Sequence, residues 1–158
     1  MNKTIWIIAA LVVVQPAFGW ELSSSDTKKT WSYSAYQADK SGGVELQFYC
    51  DNDFPEDIQM LVFTDQDARP GDSDFPSVSV KVVADNTSMT GLSGYYDEVD
   101  GERTLVVDTQ EEVLLRDFIT AASTAERPLQ VEFDGLSHRF AVDGIADVLG
   151  DFVDGCDR

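Results

Sequence analysis

The sequence predicts an α+β protein: an antiparallel β-sandwich or curved sheet of about eight strands, covered by two helices and tied by one disulfide. Three observations support this fold class. Apolar residues alternate with polar ones along several short segments, two longer segments carry apolar stripes at helical spacing, and the chain contains two cysteines. We therefore expect a mostly β domain that packs its sheet against helices.

The first residues have the composition of an export signal. Lys3 supplies a positive charge, an apolar run extends from Ile5 to Val14, and Ala17-Phe18-Gly19 places small residues where a signal peptidase accepts them. We expect residues 1–19 to be removed before Trp20. An uncleaved membrane anchor is the alternative, but the run is shorter than the roughly 20 apolar residues that span a bilayer.

The remaining 139 residues fit one domain, with an extended lead-in at 20–30 and the folded part at 31–158. Their formal charge is −19, and the acidic residues are spread along the whole chain. Such a charge predicts repulsion of nucleic acid and of anionic lipid. A solvated surface is the general interpretation of this charge, and a cationic partner is the more specific one.

Cys50 and Cys156 are expected to form the disulfide. Cys50 ends a run in which alternate residues from Val44 onwards are apolar, and Cys156 extends the apolar face of the last predicted helix. Both sulfurs should therefore face the core, and an exported chain meets oxidising conditions. Two buried free thiols are the alternative.

Alternating and turn-forming residues place six strands in the first two thirds of the chain, with order starting near Trp31. The predicted strands are Trp31–Gln37, Val44–Cys50, Ile58–Thr64, one at Val78–Val82, Thr87–Tyr96 and Arg103–Val107. Asp100-Gly101 is suited to a tight hairpin turn before the last of these strands.

Two helices and one hairpin follow. Thr109 and Glu112 have the spacing of a capping box at the start of the first helix, whose apolar stripe ends at Ala122. Residues 129–142 alternate on both sides of Asp134-Gly135, which predicts a hairpin. The last helix is expected at Gly144–Gly155.

Three motifs resemble a known group of proteins. Trp31 opens a strand, Leu46-Gln47-Phe48-Tyr49-Cys50 ends a strand in cysteine, and Phe140-Ala141-Val142-Asp143-Gly144 leads into a helix that ends at Cys156. In this order the chain resembles exported bacterial domains of the type VI secretion accessory (TagO, VasI) family and, more loosely, of the invasion-associated locus B family. The resemblance implies a periplasmic, disulfide-tied, non-enzymatic envelope protein that binds other envelope proteins or the cell wall.

No catalytic residue and no cofactor are predicted. His138, the one histidine, shares an alternating face with Leu136, Phe140 and Val142, which is typical of a half-buried structural histidine. The sequence has no Gly-x-Ser-x-Gly elbow, no His-Glu-x-x-His and no glycine-rich phosphate loop. Paired carboxylates that hydrolyse envelope glycans are an alternative, because the chain has 29 acidic residues.

Calcium is the one ion whose ligands the sequence offers. Asp65, Asp67, Asp72 and Asp74 surround Gly71 in a turn-rich segment, and Asp51, Asp53, Glu56 and Asp57 form a second cluster. Arg69, however, stands where a calcium loop usually offers an oxygen. An exposed acidic loop is therefore the favoured interpretation, and we expect no metal site.

Four aromatic residues lie in or near predicted turns: Phe54, Phe75, Tyr95 and Tyr96. They are candidates for contact with a protein or glycan, or they fold back over the sheet. We expect an accessory or binding domain of the bacterial envelope, in the periplasm or secreted. The alternative is an acidic inhibitor of a cationic secreted enzyme such as a lysozyme.

Overall fold

The computed structural model describes residues 19–39, 43–53, 57–107 and 111–157. Within these ranges the chain forms nine strands, two helices and one 3₁₀ turn. The strands are β1 (Glu21–Asp26), β2 (Trp31–Ala38), β3 (Glu45–Asp51), β4 (Gln59–Phe63), β5 (Val78–Ala84), β6 (Thr87–Val99), β7 (Glu102–Val107), β8 (Leu129–Phe133) and β9 (Leu136–Phe140). The helices are α1 (Glu112–Ser123) and α2 (Ile145–Cys156), and the 3₁₀ turn is Asp72–Asp74.

All nine strands form one antiparallel sheet in the order β1-β2-β3-β4-β7-β6-β5-β8-β9. The sheet is curled, because His138 of β9 contacts Asp39, which follows β2 at the other end of this order, at 3.3 Å. The long strand β6 pairs with β5 through its first part and with β7 through its second. The register shifts at Gly91, where a φ of 96° suits glycine and marks a bulge. The curved sheet confirms the predicted fold class.

Both helices pack against the inner face of the sheet, and aromatic rings meet at the centre of the core. Phe48 of β3 is fully buried. Its ring centroid lies 5.9 Å from that of Trp20, 6.0 Å from that of Phe118 on α1 and 6.4 Å from that of Phe152 on α2. The start of the described chain, one central strand and both helices therefore share one apolar cluster.

The predicted disulfide is present. Cys50 at the end of β3 and Cys156 at the end of α2 are bonded, with their Cα atoms 6.0 Å apart, and both are buried. The bond connects positions 106 residues apart. It therefore fastens the last helix to the strand that lies over the centre of the core.

The segment expected as a lead-in is part of the sheet. β1 pairs with β2 along its whole length. Trp20, which precedes β1, is 5% exposed; its indole N–H donates to the carbonyl of Ala141 at 2.7 Å, and its backbone N–H donates to that of Asp143 at 3.1 Å. The expectation that order begins near Trp31 is therefore wrong. Backbone pairing needs no apolar pattern, so a polar, serine-rich strand gives no periodic signal.

The two predicted hairpin turns are confirmed. Asp100 and Gly101 have φ values of 54° and 85°, and Asp134 and Gly135 have values of 50° and 74°. Two successive positive φ values are typical of a tight two-residue hairpin turn. Leu136 was expected to share the inward face of β9, but it is 55% exposed. Burial along β9 increases towards Phe140, which is fully buried.

The remaining predictions concern the ends of the chain and the helices. Residues 1–18 and Thr109, the expected signal and cap, lie outside the described ranges. Both helices lie where their apolar stripes predict them. Neither is long and apolar enough to cross a membrane.

Candidate functional site

Apolar side chains also collect on the outer face of the sheet, away from the helices. In β4 the neighbours of Leu61 face the core, so Leu61 and Phe63 face outward. Strand pairing places Leu61 opposite Val106 of β7, and Val106 opposite Tyr95 of β6. Leu61 and Val106 are only 7% and 5% exposed, although neither belongs to the core cluster. The sheet therefore buries apolar side chains on both faces.

Phe75 extends this outer group beyond the sheet. Its ring packs edge-on against Tyr95, with centroids 5.4 Å apart and planes at 87°. The side chain is 54% exposed, and the backbone has a φ of 47°. This left-handed conformation costs a residue with a side chain about 1–2 kcal/mol. The half-exposed ring and its costly backbone conformation make Phe75 a candidate contact residue.

The sheet residues of this group, Leu61, Phe63, Tyr95 and Val106, border a shallow groove of about 390 Å³. Gln47, Tyr49 and Gln59 line its other side. We use the name outer patch for Leu61, Phe63, Phe75, Tyr95, Val99 and Val106. The groove thus combines apolar surface with amide and hydroxyl groups that can form hydrogen bonds.

A buried ion pair holds the loop that presents Phe75. The guanidinium of Arg103 donates to the two carboxylate oxygens of Asp72 at 2.8 and 3.0 Å. The backbone N–H of Arg69 donates to the same carboxylate at 2.7 Å, and the N–H of Phe75 donates to the carbonyl of Asp72 at 2.9 Å. Asp72 therefore connects the 3₁₀ turn to β7 through its carboxylate, and its carbonyl accepts the backbone N–H of Phe75.

The arginine of this ion pair also contacts an aromatic ring of the sheet. The Arg103 guanidinium carbon lies 3.3 Å from the centre of the Tyr96 ring, and the Tyr96 hydroxyl donates to Asp134 at 2.6 Å. The hydrogen bond from Arg103 lowers the pKa of Asp72 below its ordinary value. Burial, followed by the hydrogen bond to Asp134, raises the pKa of Tyr96 to about 12. At neutral pH both groups are in the charge states that this network requires.

Carboxylates border the end of the outer patch that contains Phe63. Glu45, Asp65, Asp100 and Glu102 line a depression of about 420 Å³ that also touches Phe63. Burial, and then the charges of Glu102 and Glu21, raise the pKa of Glu45 above its ordinary value. We use the name acidic rim for Glu45, Asp65, Asp97, Asp100 and Glu102. Among the described residues, Arg69 is the cation that shares a depression with three of these carboxylates.

The aspartates proposed as calcium ligands are not brought together. Asp72 faces inward to Arg103, whereas Asp65, Asp67 and Asp74 are exposed. No three histidine, cysteine or carboxylate side chains converge on one point within the described ranges. In the second cluster the Asp51 carboxylate accepts hydrogen bonds from the Tyr49 hydroxyl at 2.8 Å and the Asp53 N–H at 2.9 Å, and Glu56 lies outside those ranges.

His138 is half-buried, in agreement with its predicted structural role. Its ring stacks on Phe133, with centroids 5.2 Å apart and planes at 23°, and its Nδ1 lies 3.3 Å from a carboxylate oxygen of Asp39. The contact joins β9 to the end of β2. His138 therefore helps the curled sheet to close.

The turn aromatics divide between the two faces of the sheet. Phe75 and Tyr95 lie on the outer face, whereas Tyr96 is 3% exposed and belongs to the core. Phe54 lies outside the described ranges. The sequence did not identify Leu61, Phe63 and Val106 as surface residues, but it carried a signal for them. Unbroken apolar runs at positions 60–63 and 105–107 imply strands that are apolar on both faces.

A further depression, of about 600 Å³, lies where the ends of the curled sheet approach each other. Residues from β2, from the connection before β8 and from the connection after β9 line it, including Pro128, Ala141 and Val142. Trp20 already binds the backbone of Ala141 and Asp143 beside it. The outer patch, which carries the exposed ring of Phe75, is the stronger candidate site.

No protein-family model, curated protein or solved structure significantly matches the chain.

Proposed function

We propose that the protein is an exported, non-enzymatic binding domain of the bacterial cell envelope that recognises another protein through the outer patch. The observation that carries this proposal is Phe75, an exposed ring in a costly backbone conformation that a buried ion pair holds in place. Aromatic anchors above a well-packed apolar surface are typical centres of protein interfaces. The disulfide is consistent with export into an oxidising compartment.

A photo-crosslinking amino acid tests this proposal directly. Benzoylphenylalanine replaces Phe75 in the outer patch or, as a matched control, Val113, which is 73% exposed on α1. After irradiation of bacterial cells that export the variants, we expect an envelope protein to be crosslinked from position 75 and not from position 113. An excess of wild-type domain should suppress the product, whereas the Phe75→Ser domain should not.

Two results would contradict protein recognition at the outer patch. Identical products from both positions would show that contact there is non-specific. Failure to crosslink any protein, combined with co-sedimentation of the domain with insoluble peptidoglycan, would assign cell-wall recognition instead.

The acidic rim supports a second candidate function, inhibition of a cationic secreted enzyme such as a lysozyme. Excess carboxylates beside an apolar surface steer a basic enzyme into contact. A lysozyme activity assay at low and high salt tests this candidate. Undiminished lysozyme activity at low salt, in the presence of excess domain, would exclude that enzyme as the target.

A further inference from the structure

We infer that the segment bound by the outer patch is cationic around an apolar centre, with arginine or lysine side chains on the acidic rim and an apolar side chain against Phe63, Tyr95 and Val99. The inference rests on the proposed function and specifies the chemistry of the partner.

The charge around the outer patch determines the sign of the charge expected on the partner. Five carboxylates form the rim, and among the described residues that line these depressions the cation is Arg69. The Arg69 guanidinium is itself hydrogen bonded to the side chain of Gln66 at 2.5 Å. The rim therefore keeps a net negative charge, which favours a basic surface across the interface.

The same charge disfavours a second copy of this chain as the occupant. Two copies that met through their outer patches would bring their acidic rims together. Like charges that face each other across an interface disfavour association. The formal charge of the whole chain, −18, adds a general repulsion between copies.

The shape and chemistry of the patch favour arginine beside an apolar residue. Tyr95, Phe63 and Phe75 present aromatic surface, on which a guanidinium group stacks readily. Arg103 makes this contact on Tyr96 within the protein itself, 3.3 Å from the ring centre. Leu61 and Val106 are only 7% and 5% exposed, so the half-buried Phe63, Tyr95 and Val99 offer the apolar surface for one aliphatic side chain.

A peptide library provides a probe that does not assume the identity of the partner. Phage-displayed random dodecapeptides are selected on the full oxidised domain, and the consensus is synthesised with arginine and again with citrulline, which keeps the shape and removes the charge. We expect a basic consensus with an apolar centre, binding that weakens as salt rises, and a loss of at least about tenfold in affinity for the citrulline peptide.

Matched variants locate the binding site on the domain. Asp97→Asn with Asp100→Asn removes two rim charges, while Asp147→Asn with Asp151→Asn removes two exposed charges from α2. We expect the rim pair to lower the affinity for the arginine peptide about tenfold, mainly through slower association. The α2 pair should leave this affinity within about twofold, and Phe75→Ser should lower it in all salt concentrations.

The outcomes separate this inference from the proposed function. A neutral or acidic consensus whose binding is lost in Phe75→Ser and unchanged in the rim variant would overturn the cationic partner and leave recognition at the patch intact. If the rim and α2 double variants weakened peptide binding equally, the net charge of the domain would explain the effect, and the inference would also be overturned. Peptides that bind Phe75→Ser as well as the wild type would count against the patch itself.

Discussion

At the scale of single residues, the Asp72–Arg103 pair connects stability with the candidate site. Removing two charges from water is costly, and the cost is offset here by two hydrogen bonds, the Arg69 N–H and the face of Tyr96. The pair therefore does more than stabilise β7. It fixes the turn from which Phe75 projects, so its loss should affect both folding and recognition.

Asp72→Asn should lower the thermal unfolding midpoint by several degrees at neutral pH, because it leaves the Arg103 charge buried without its counter-charge. The exposed Asp74→Asn, in the same turn, is the control and should change the midpoint little.

The folded-state pKa of Asp72 is lowered, so its contribution to stability is complete above the unfolded-state pKa of about 4 and is lost as pH falls through the lower folded-state pKa. The difference between wild type and Asp72→Asn should therefore shrink in acid, as measured by calorimetry across pH. A difference that stayed constant down to low pH would show that Asp72 acts through packing alone.

At the scale of elements, the contact between α2 and β2 depends on a missing side chain. Gly155 lies against the ring of Tyr33, and a Cβ at this position would stand 2.6–2.8 Å from three ring atoms. Glycine normally weakens a helix, but here it lets the helix approach the strand closely enough for Cys156 to reach Cys50. Gly150, in the same helix, has no atom within 4 Å of such a Cβ.

The two glycines give opposite predictions for the same substitution. Gly155→Ala should reduce the free energy of unfolding by about 1–3 kcal/mol through overpacking against Tyr33. Gly150→Ala should increase it by up to about 1 kcal/mol, because alanine is the better helix former and nothing obstructs it. Chemical denaturation of both variants measures these changes. If Gly155→Ala were as stable as Gly150→Ala, α2 would not be held against β2 in the way described.

At the scale of the whole molecule, long-range connections compensate for the open edges of the curled sheet. Trp20 fixes the start of β1 to the connection after β9, His138 joins β9 to the end of β2, and the disulfide joins β3 to α2. Each connects parts of the chain that are far apart in sequence. Together they hold one acidic domain in a shape that presents the outer patch.

Removal of the disulfide should destabilise the domain without changing its fold. In a chain-entropy estimate, linking positions 106 residues apart destabilises the unfolded state by about 4–5 kcal/mol. This value is the upper limit for the stability that is lost when the bond is removed. We expect the Cys50→Ala, Cys156→Ala double variant to unfold at lower denaturant concentration and to keep its strand content by circular dichroism. A reductant should shift the wild type towards this variant and leave the variant unchanged. Equal midpoints for the oxidised wild type and the double variant would show that the bond adds no stability.

The sequence alone determined features that depend on a few neighbouring residues or on a single possible partner. The turns at Asp100-Gly101 and Asp134-Gly135 follow from the backbone freedom of these residue types, and the helices follow from their apolar stripes. The pairing of Cys50 with Cys156 follows because no other cysteine exists. Two of the six residues of the outer patch were also recognisable, since Phe75 and Tyr95 stood out as aromatics near turns.

Only the tertiary structure decided which side chains meet. Tyr95 and Tyr96 are adjacent in sequence, yet strand alternation and the curl of the sheet send one to the outer patch and the other to the core. Asp72 is one of four similar aspartates in its loop, and only the position of Arg103, 31 residues away, distinguishes it. β1 joins the sheet through backbone hydrogen bonds that no side-chain pattern records. Local sequence fixes backbone preference and periodicity, whereas contacts between distant segments depend on how the whole sheet folds around its core.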